Sequence, residues 1–136
     1  MYTCEKIYRS DPMFITQESL INYSGGDRSD PKFPKKTIHT DLELARKCGL
    51  PERIASGAMF EGLIAELMLD IVGSRWYKVG KMRLKFVHRV NIGDTIVANV
   101  KVDNYENDAS CFEVWCENQY KVRVVVGQAI IKEGKC

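Results

Sequence analysis

The strongest constraint on this chain is the apolar run from Ala58 to Val72, introduced by Ser56-Gly57 and closed by Gly73. Ser56 can accept a hydrogen bond from an orphan N–H of the first turn, and Gly73 suits the left-handed closing position, so the run reads as one helix. Apolar side chains point in nearly every direction on its wheel, interrupted only by Glu61, Glu66 and Asp70. Such a helix has to be surrounded by protein or by lipid. With about 17 residues and three acids inside, it is a poor membrane span. A core helix is expected.

The segments that follow supply its cover. Lys81–Val90 alternates, with Met82, Leu84, Phe86, His88 and Val90 on one face and Lys81, Arg83, Lys85 and Arg89 on the other. That is the period of a strand. A turn at Asn91-Ile92-Gly93-Asp94 leads into a strand over Thr95–Val102, and the polar stretch 103–108 reads as another turn. Two further strands are expected, roughly Ser110–Glu117 and Tyr120–Lys132. One core helix followed by antiparallel strands predicts an α+β arrangement, with a sheet curling around the helix.

A chain of 136 residues is expected to form a single domain over 1–136, long enough to bury a core. A net charge of +2 is too small to argue for nucleic acid, and no stacking aromatics are interleaved with the basic residues. No leader or membrane-spanning run is read, so a soluble cytoplasmic protein is expected, with no membrane partner. The five cysteines, Cys4, Cys48, Cys111, Cys116 and Cys136, show no CxxC pairing, so neither a disulfide framework nor a metal site is expected.

Upstream of the helix the chain is broken by turn chemistry. Thr16 reads as the N-cap of a short helix, Gln17–Tyr23, which Ser24-Gly25-Gly26-Asp27 ends. The segment Arg28–Thr37, with Pro31, Pro34, Lys32, Lys35 and Lys36, reads as loop. Thr40 or Asp41 can cap a second helix, Leu42–Cys48, which Gly49 closes.

Four stretches occur in a telling order: Tyr23-Ser24-Gly25-Gly26-Asp27, Ile38-His39-Thr40-Asp41-Leu42-Glu43-Leu44-Ala45, Ile54-Ala55-Ser56-Gly57 and Asn91-Ile92-Gly93-Asp94-Thr95-Ile96. Together they resemble the MaoC-like family of (R)-specific enoyl-thioester hydratases and dehydratases. The resemblance implies a hot-dog fold, a long helix wrapped by a curved antiparallel sheet and usually paired into a homodimer or a higher dimer-based assembly. It implies an acyl-CoA or acyl-carrier-protein thioester as substrate and no cofactor. It assigns catalysis to Asp27, His39 and the backbone N–H of Gly57. Eleven residues stand between Asp27 and His39, where the family keeps the pair on one short loop, and Ser56 stands where hydratases often carry histidine.

The chemistry explains these residue types. Adding water across an α,β-unsaturated thioester needs a group that deprotonates water and a proton for the α-carbon. A carboxylate and an imidazole sharing one water supply both. Charge developing on the thioester oxygen can be met by the free N–H groups at a helix N-terminus. A glycine there lets the carbonyl approach the backbone.

Each residue also has a plainer reading. Asp27 after two glycines can be a turn residue, and Asp30 before Pro31 competes for the role of base. His39 can bond the cap of the next helix. His88, on the apolar face of its strand, reads as a core or interface histidine, and Asp41 as a helix cap. Lys32, Lys35 and Lys36, with Ser56 and Asp30, form the candidate substrate-binding set. The lysines can meet coenzyme A phosphates or an acidic carrier surface, or simply belong to a solvated loop. Two other functions fit the same fold: an acyl thioesterase, which does not need His39, and a non-catalytic subunit of a heteromeric dehydratase.

Overall fold

The computed structural model describes residues 6–106 and 109–132. Two short strands, β1 (Ile7–Arg9) and β2 (Met13–Phe14), precede the helices α1 (Gln17–Ser24) and α2 (Leu42–Lys47). Then come α3 (Gly57–Val72), α4 (Arg75–Val79) and the strands β3 (Gly80–Phe86), β4 (Thr95–Glu106), β5 (Ala109–Glu117) and β6 (Arg123–Lys132). The sheet is antiparallel in the order β1-β4-β5-β6-β3, with β2 also on β4. This is the α+β hot-dog architecture, with α3 packed against the sheet.

The caps follow local chemistry. Thr16 and Ser19 form a reciprocal capping box on α1. Asp41, not Thr40, caps α2, its Oδ1 accepting from the amides of Glu43 at 2.9 Å and Leu44 at 3.3 Å. Ser56 caps α3 by accepting from the amide of Ala58 at 3.4 Å. Gly73 closes α3 at φ 67.

α3 turns Met59, Phe60, Leu63, Ile64, Leu67 and Met68 into the core against Ile96, Ala98, Val100, Phe112, Val114, Val125 and Ala129 of the sheet. Burial of each large side chain contributes about 1.5–3 kcal/mol. The expectation of a helix enclosed on all sides is corrected here. Ala58, Glu61, Gly62, Glu66 and Asp70 are exposed, so one chain covers only one side of α3. Alanine and glycine count as apolar on a wheel but present little surface that needs cover.

Other boundaries move for tertiary reasons. The Lys81–Val90 strand ends at Phe86, opposite Val125 and two residues short of the start of β6 at Arg123. The amides of Val87 and His88 both reach the carbonyl of Val124, at 2.9 and 3.3 Å, and the chain leaves the sheet. His88 is therefore exposed, not a core histidine, and its Nδ1 lies 2.7 Å from the Arg89 carbonyl.

At the other expected turn, β4 runs on through Glu106, while 107–108 lie outside the described residues. Tyr120–Val122 precede β6 in a turn built on Asn118, whose Oδ1 accepts from the amides of Tyr120 and Val122. Neither α4 nor the strands β1 and β2 were legible in the sequence pattern.

Candidate functional site

The loop between α1 and α2 folds back on itself. Asp27 O accepts from Asp30 N at 3.1 Å and Asp30 O from Phe33 N at 2.9 Å, giving two successive turns. The Lys35 amide then donates to Gly25 O at 2.7 Å and closes the loop. Gly25 is buried under it: a Cβ there would stand 3.1 Å from the Phe33 ring and 2.5 Å from Ile21 O. The Arg28 guanidinium lies over the Phe33 ring and bonds Asn22. The eleven residues between Asp27 and His39 are thus largely an excursion that returns to its start. From Lys35, four residues lead to His39.

Asp27 is exposed at the start of this excursion. Its Oδ1 accepts from the amide and the hydroxyl of Ser29, both at 2.8 Å, and these bonds, the amide first, hold its carboxyl below the usual range. Oδ2 has no bond among the described residues. Asp30 Oδ1 accepts from the Lys32 amide at 2.9 Å, which makes it a turn-former. Asp27, Asp30, Lys32, Phe33, Lys35 and Lys36 line a cavity of about 630 Å³. All three lysines are exposed, and Lys36 stands 3.9 Å from Asp41.

His39 is half-buried and oriented. Its Nδ1 is 2.8 Å from Ile54 O, and a carbonyl only accepts, so Nδ1 carries the proton. In the neutral ring Nε2 then keeps its lone pair, the form a general base needs. The Thr37–Thr40 turn sets the backbone, with the His39 amide donating to the Thr37 hydroxyl at 3.1 Å.

Ile54 precedes the Ser56 cap by two residues, so the imidazole is tied to the start of α3. Gly57, the first residue of α3, lines a second cavity of about 480 Å³ with Ile54, Phe60, Phe86 and Val90. Its N–H has no partner among the described residues. The Phe86 ring lies where a Gly57 side chain would be, 2.8 Å from a Cβ placed there.

The structure therefore ties His39 to Ile54, two residues before Ser56 and three before Gly57, and groups Asp27 with Asp30 and the three lysines. The two cavities share no lining residue. Sequence reasoning missed the Ile54 carbonyl and Phe86. Both act through contacts remote in sequence, Ile54 fifteen residues from His39, and no local pattern signals them. Among the cysteines, Cys48, Cys111 and Cys116 are free, and burial pushes the Cys116 thiol up to about 12, leaving it inert. No helix among the described residues is long and apolar enough to cross a membrane.

The α+β hot-dog fold, with a capped helix N-terminus and an imidazole fixed on the carbonyl of Ile54 just ahead of it, defines the class of domain. The MaoC like domain family matches residues 4–126, and the chain belongs to that family. Among solved structures it is similar to an (R)-hydratase from A. caviae involved in PHA biosynthesis, with 17% identity, 96% of each chain covered and a TM-score of 0.76. It is similar to the R-hydratase PhaJ1 from Pseudomonas aeruginosa, with 19% identity over 98% of this chain and 84% of that one and a TM-score of 0.70. A chain of the ChsH1–ChsH2 complex from Mycobacterium tuberculosis matches at 12% identity over 97% and 98%, with a TM-score of 0.75. No curated protein matches the chain.

Proposed function

We propose that this protein hydrates trans-2-enoyl thioesters to (R)-3-hydroxyacyl thioesters, or runs the reverse dehydration. The observation that supports the reading best is His39, fixed by Ile54 O with Nε2 left as its lone-pair nitrogen, together with a Gly57 N–H, three residues beyond Ile54, that has no partner among the described residues. In the hydration direction Asp27 Oδ2 and His39 Nε2 share one water. The water's oxygen bonds to C3 as one of its protons passes to the dyad. The thioester oxygen gathers negative charge and is met by the Gly57 N–H. The dyad returns its proton to C2, so that H and OH are added and nothing else is consumed. Lys32, Lys35 and Lys36 contact phosphates of the substrate's carrier group.

Three substrates test this reading: crotonyl-, 3-hydroxybutyryl- and butyryl-coenzyme A. A hydratase converts the first two and leaves the third intact. Release of free thiol from butyryl-coenzyme A would instead mark a thioesterase, and no conversion of any would end the enzymatic reading.

A second reading is favoured by one observation: Asp27 and Gly57 line different cavities. A subunit of a heteromeric dehydratase that binds acyl thioesters without turning them over fits that separation. It would bind crotonyl-coenzyme A and convert none.

The lysines make a prediction of their own. Lys32→Ala, Lys35→Ala and Lys36→Ala together are expected to raise KM for crotonyl-coenzyme A and flatten its dependence on salt. Unchanged kinetics from low to high salt would reduce them to solvated loop residues.

A homodimer, or an assembly built from dimers, is proposed because the sheet of one chain ends at an unpaired edge, β3, that needs protection. Light scattering at micromolar concentration is expected to give at least twice the monomer mass. A clean monomer would refute it.

A further inference from the structure

The Gly57 cavity is lined by apolar groups apart from two side chains, His88 and Arg89, and no carboxylate is among them. His88 commits Nδ1 to the Arg89 carbonyl at 2.7 Å. Arg89 is thus the one lining residue with a permanent charge. Its guanidinium has no ion-pair or hydrogen-bond partner among the described residues. Arg9, Arg53 and Arg123, in contrast, are each held by a glutamate.

The backbone of Arg89 is fixed on both sides. Ahead of it, the amides of Val87 and His88 reach the Val124 carbonyl, and behind it the Val90 carbonyl accepts from the Ala55 amide at 2.8 Å. Ala55 stands two residues before Gly57, so Arg89 is tied to the chain that enters α3. A free amide and an unpaired guanidinium therefore serve one cavity of about 480 Å³. An exposed arginine can simply be solvated, and Arg89 is exposed. A guanidinium on an apolar wall that faces no carboxylate is nevertheless ready for an anion that the ligand brings, and its planar fork matches a carboxylate at two points.

We propose that Arg89 receives a carboxylate carried by the acyl group, so that the favoured substrate is an enoyl thioester of a dicarboxylic acid. This rests on the hydratase reading and names its substrate class. The thioester oxygen takes the Gly57 N–H, and the second carboxylate pairs with the guanidinium. Apolar walls between these two polar ends suit the short carbon chain that joins a thioester to a carboxylate. They also thin the water around an ion pair that would count for little in the open. A phosphate of the carrier group fits Arg89 less well. The pantetheine arm holds that phosphate a long extended chain away from the thioester, so an anion sharing the cavity with the carbonyl belongs to the acyl side. The loop lysines that are read as phosphate partners line the other cavity.

The test compares glutaconyl-coenzyme A with trans-2-pentenoyl-coenzyme A, which have the same number of acyl carbons and differ in the terminal carboxylate. The wild type is expected to favour the first in kcat/KM by about tenfold or more. Arg89→Gln should abolish that preference by raising KM for glutaconyl-coenzyme A. Arg89→Lys, which keeps the charge and loses the fork, should lie between. A wild type that favours pentenoyl-coenzyme A, or a ratio that Arg89→Gln leaves unchanged, would overturn the proposal. An equal loss with both substrates in Arg89→Gln would also overturn it, by assigning Arg89 to the coenzyme's phosphates or to the fold. If the wild type converts neither substrate, the hydratase reading fails separately. Calorimetric titration with glutaryl- and valeryl-coenzyme A then decides: a preference for glutaryl that Arg89→Gln loses upholds the carboxylate site, and equal or absent binding refutes it.

Discussion

Asp27→Asn and His39→Ala are each expected to lower turnover of crotonyl-coenzyme A by about a hundredfold or more. The double variant should be little worse than either single one, because groups that act on one water fail together. His39→Ala removes the ring whose tautomer the Ile54 carbonyl fixes. Asp27→Asn removes the charge that Ser29 stabilises and leaves the turn able to form. Asp30→Asn is the control and should keep full activity, since its carboxylate serves the Lys32 amide. Stopped turnover in Asp30→Asn with full turnover in Asp27→Asn would transfer the role of base to Asp30. An inactive His39→Ala beside an unaffected Asp27→Asn would leave the imidazole working alone, as the separation of the two cavities also allows.

Leu67→Ala is expected to destabilise the fold by roughly 2–5 kcal/mol in denaturant unfolding, with the slope m unchanged. Leu67 is 6% exposed and packs in the cluster that joins α3 to the sheet. Its truncation loses both transfer energy and packing, and the sheet cannot collapse onto the gap without disturbing ladders on both sides of β5. A loss below about 0.5 kcal/mol would mean that the inner side of α3 is not the core.

The closed excursion between Gly25 and Lys35 explains how an abnormal spacing can coexist with the family's order of residues. Loop-closure entropy grows slowly with length, so a long insertion whose ends are bonded costs little more than a short one. Here the Lys35 amide on Gly25 O restores the chain path before His39. Asp27 lies inside the excursion, however, and its position answers to the loop's own turns.

The division between what was legible and what was not follows range. Thr16, Asp41, Ser56 and Gly73 announced helix ends, because capping bonds run to amides two or three residues away. The alternation of β3 and the apolar character of α3 announced strand and core helix, because side-chain period is a local property. The order of glycines, His39 and Gly57 was enough to place the chain in its family. By itself, then, the sequence determined the types of the main elements α1 to α3 and β3 to β6 and the α+β architecture, and it named Asp27, His39 and Gly57 as candidates.

Only the tertiary structure decided where β3 stops, since the amides of Val87 and His88 converge on the Val124 carbonyl and break the ladder. It alone exposed His88 and left one side of α3 bare. It also set His39 on the Ile54 carbonyl and laid Phe86 over Gly57, while keeping Asp27 in a separate cavity. Each of these depends on two segments far apart in the chain meeting at a distance of a few ångströms. Hydrophobic period and capping chemistry are blind to such meetings, because they register which face a residue takes and not which partner that face finds.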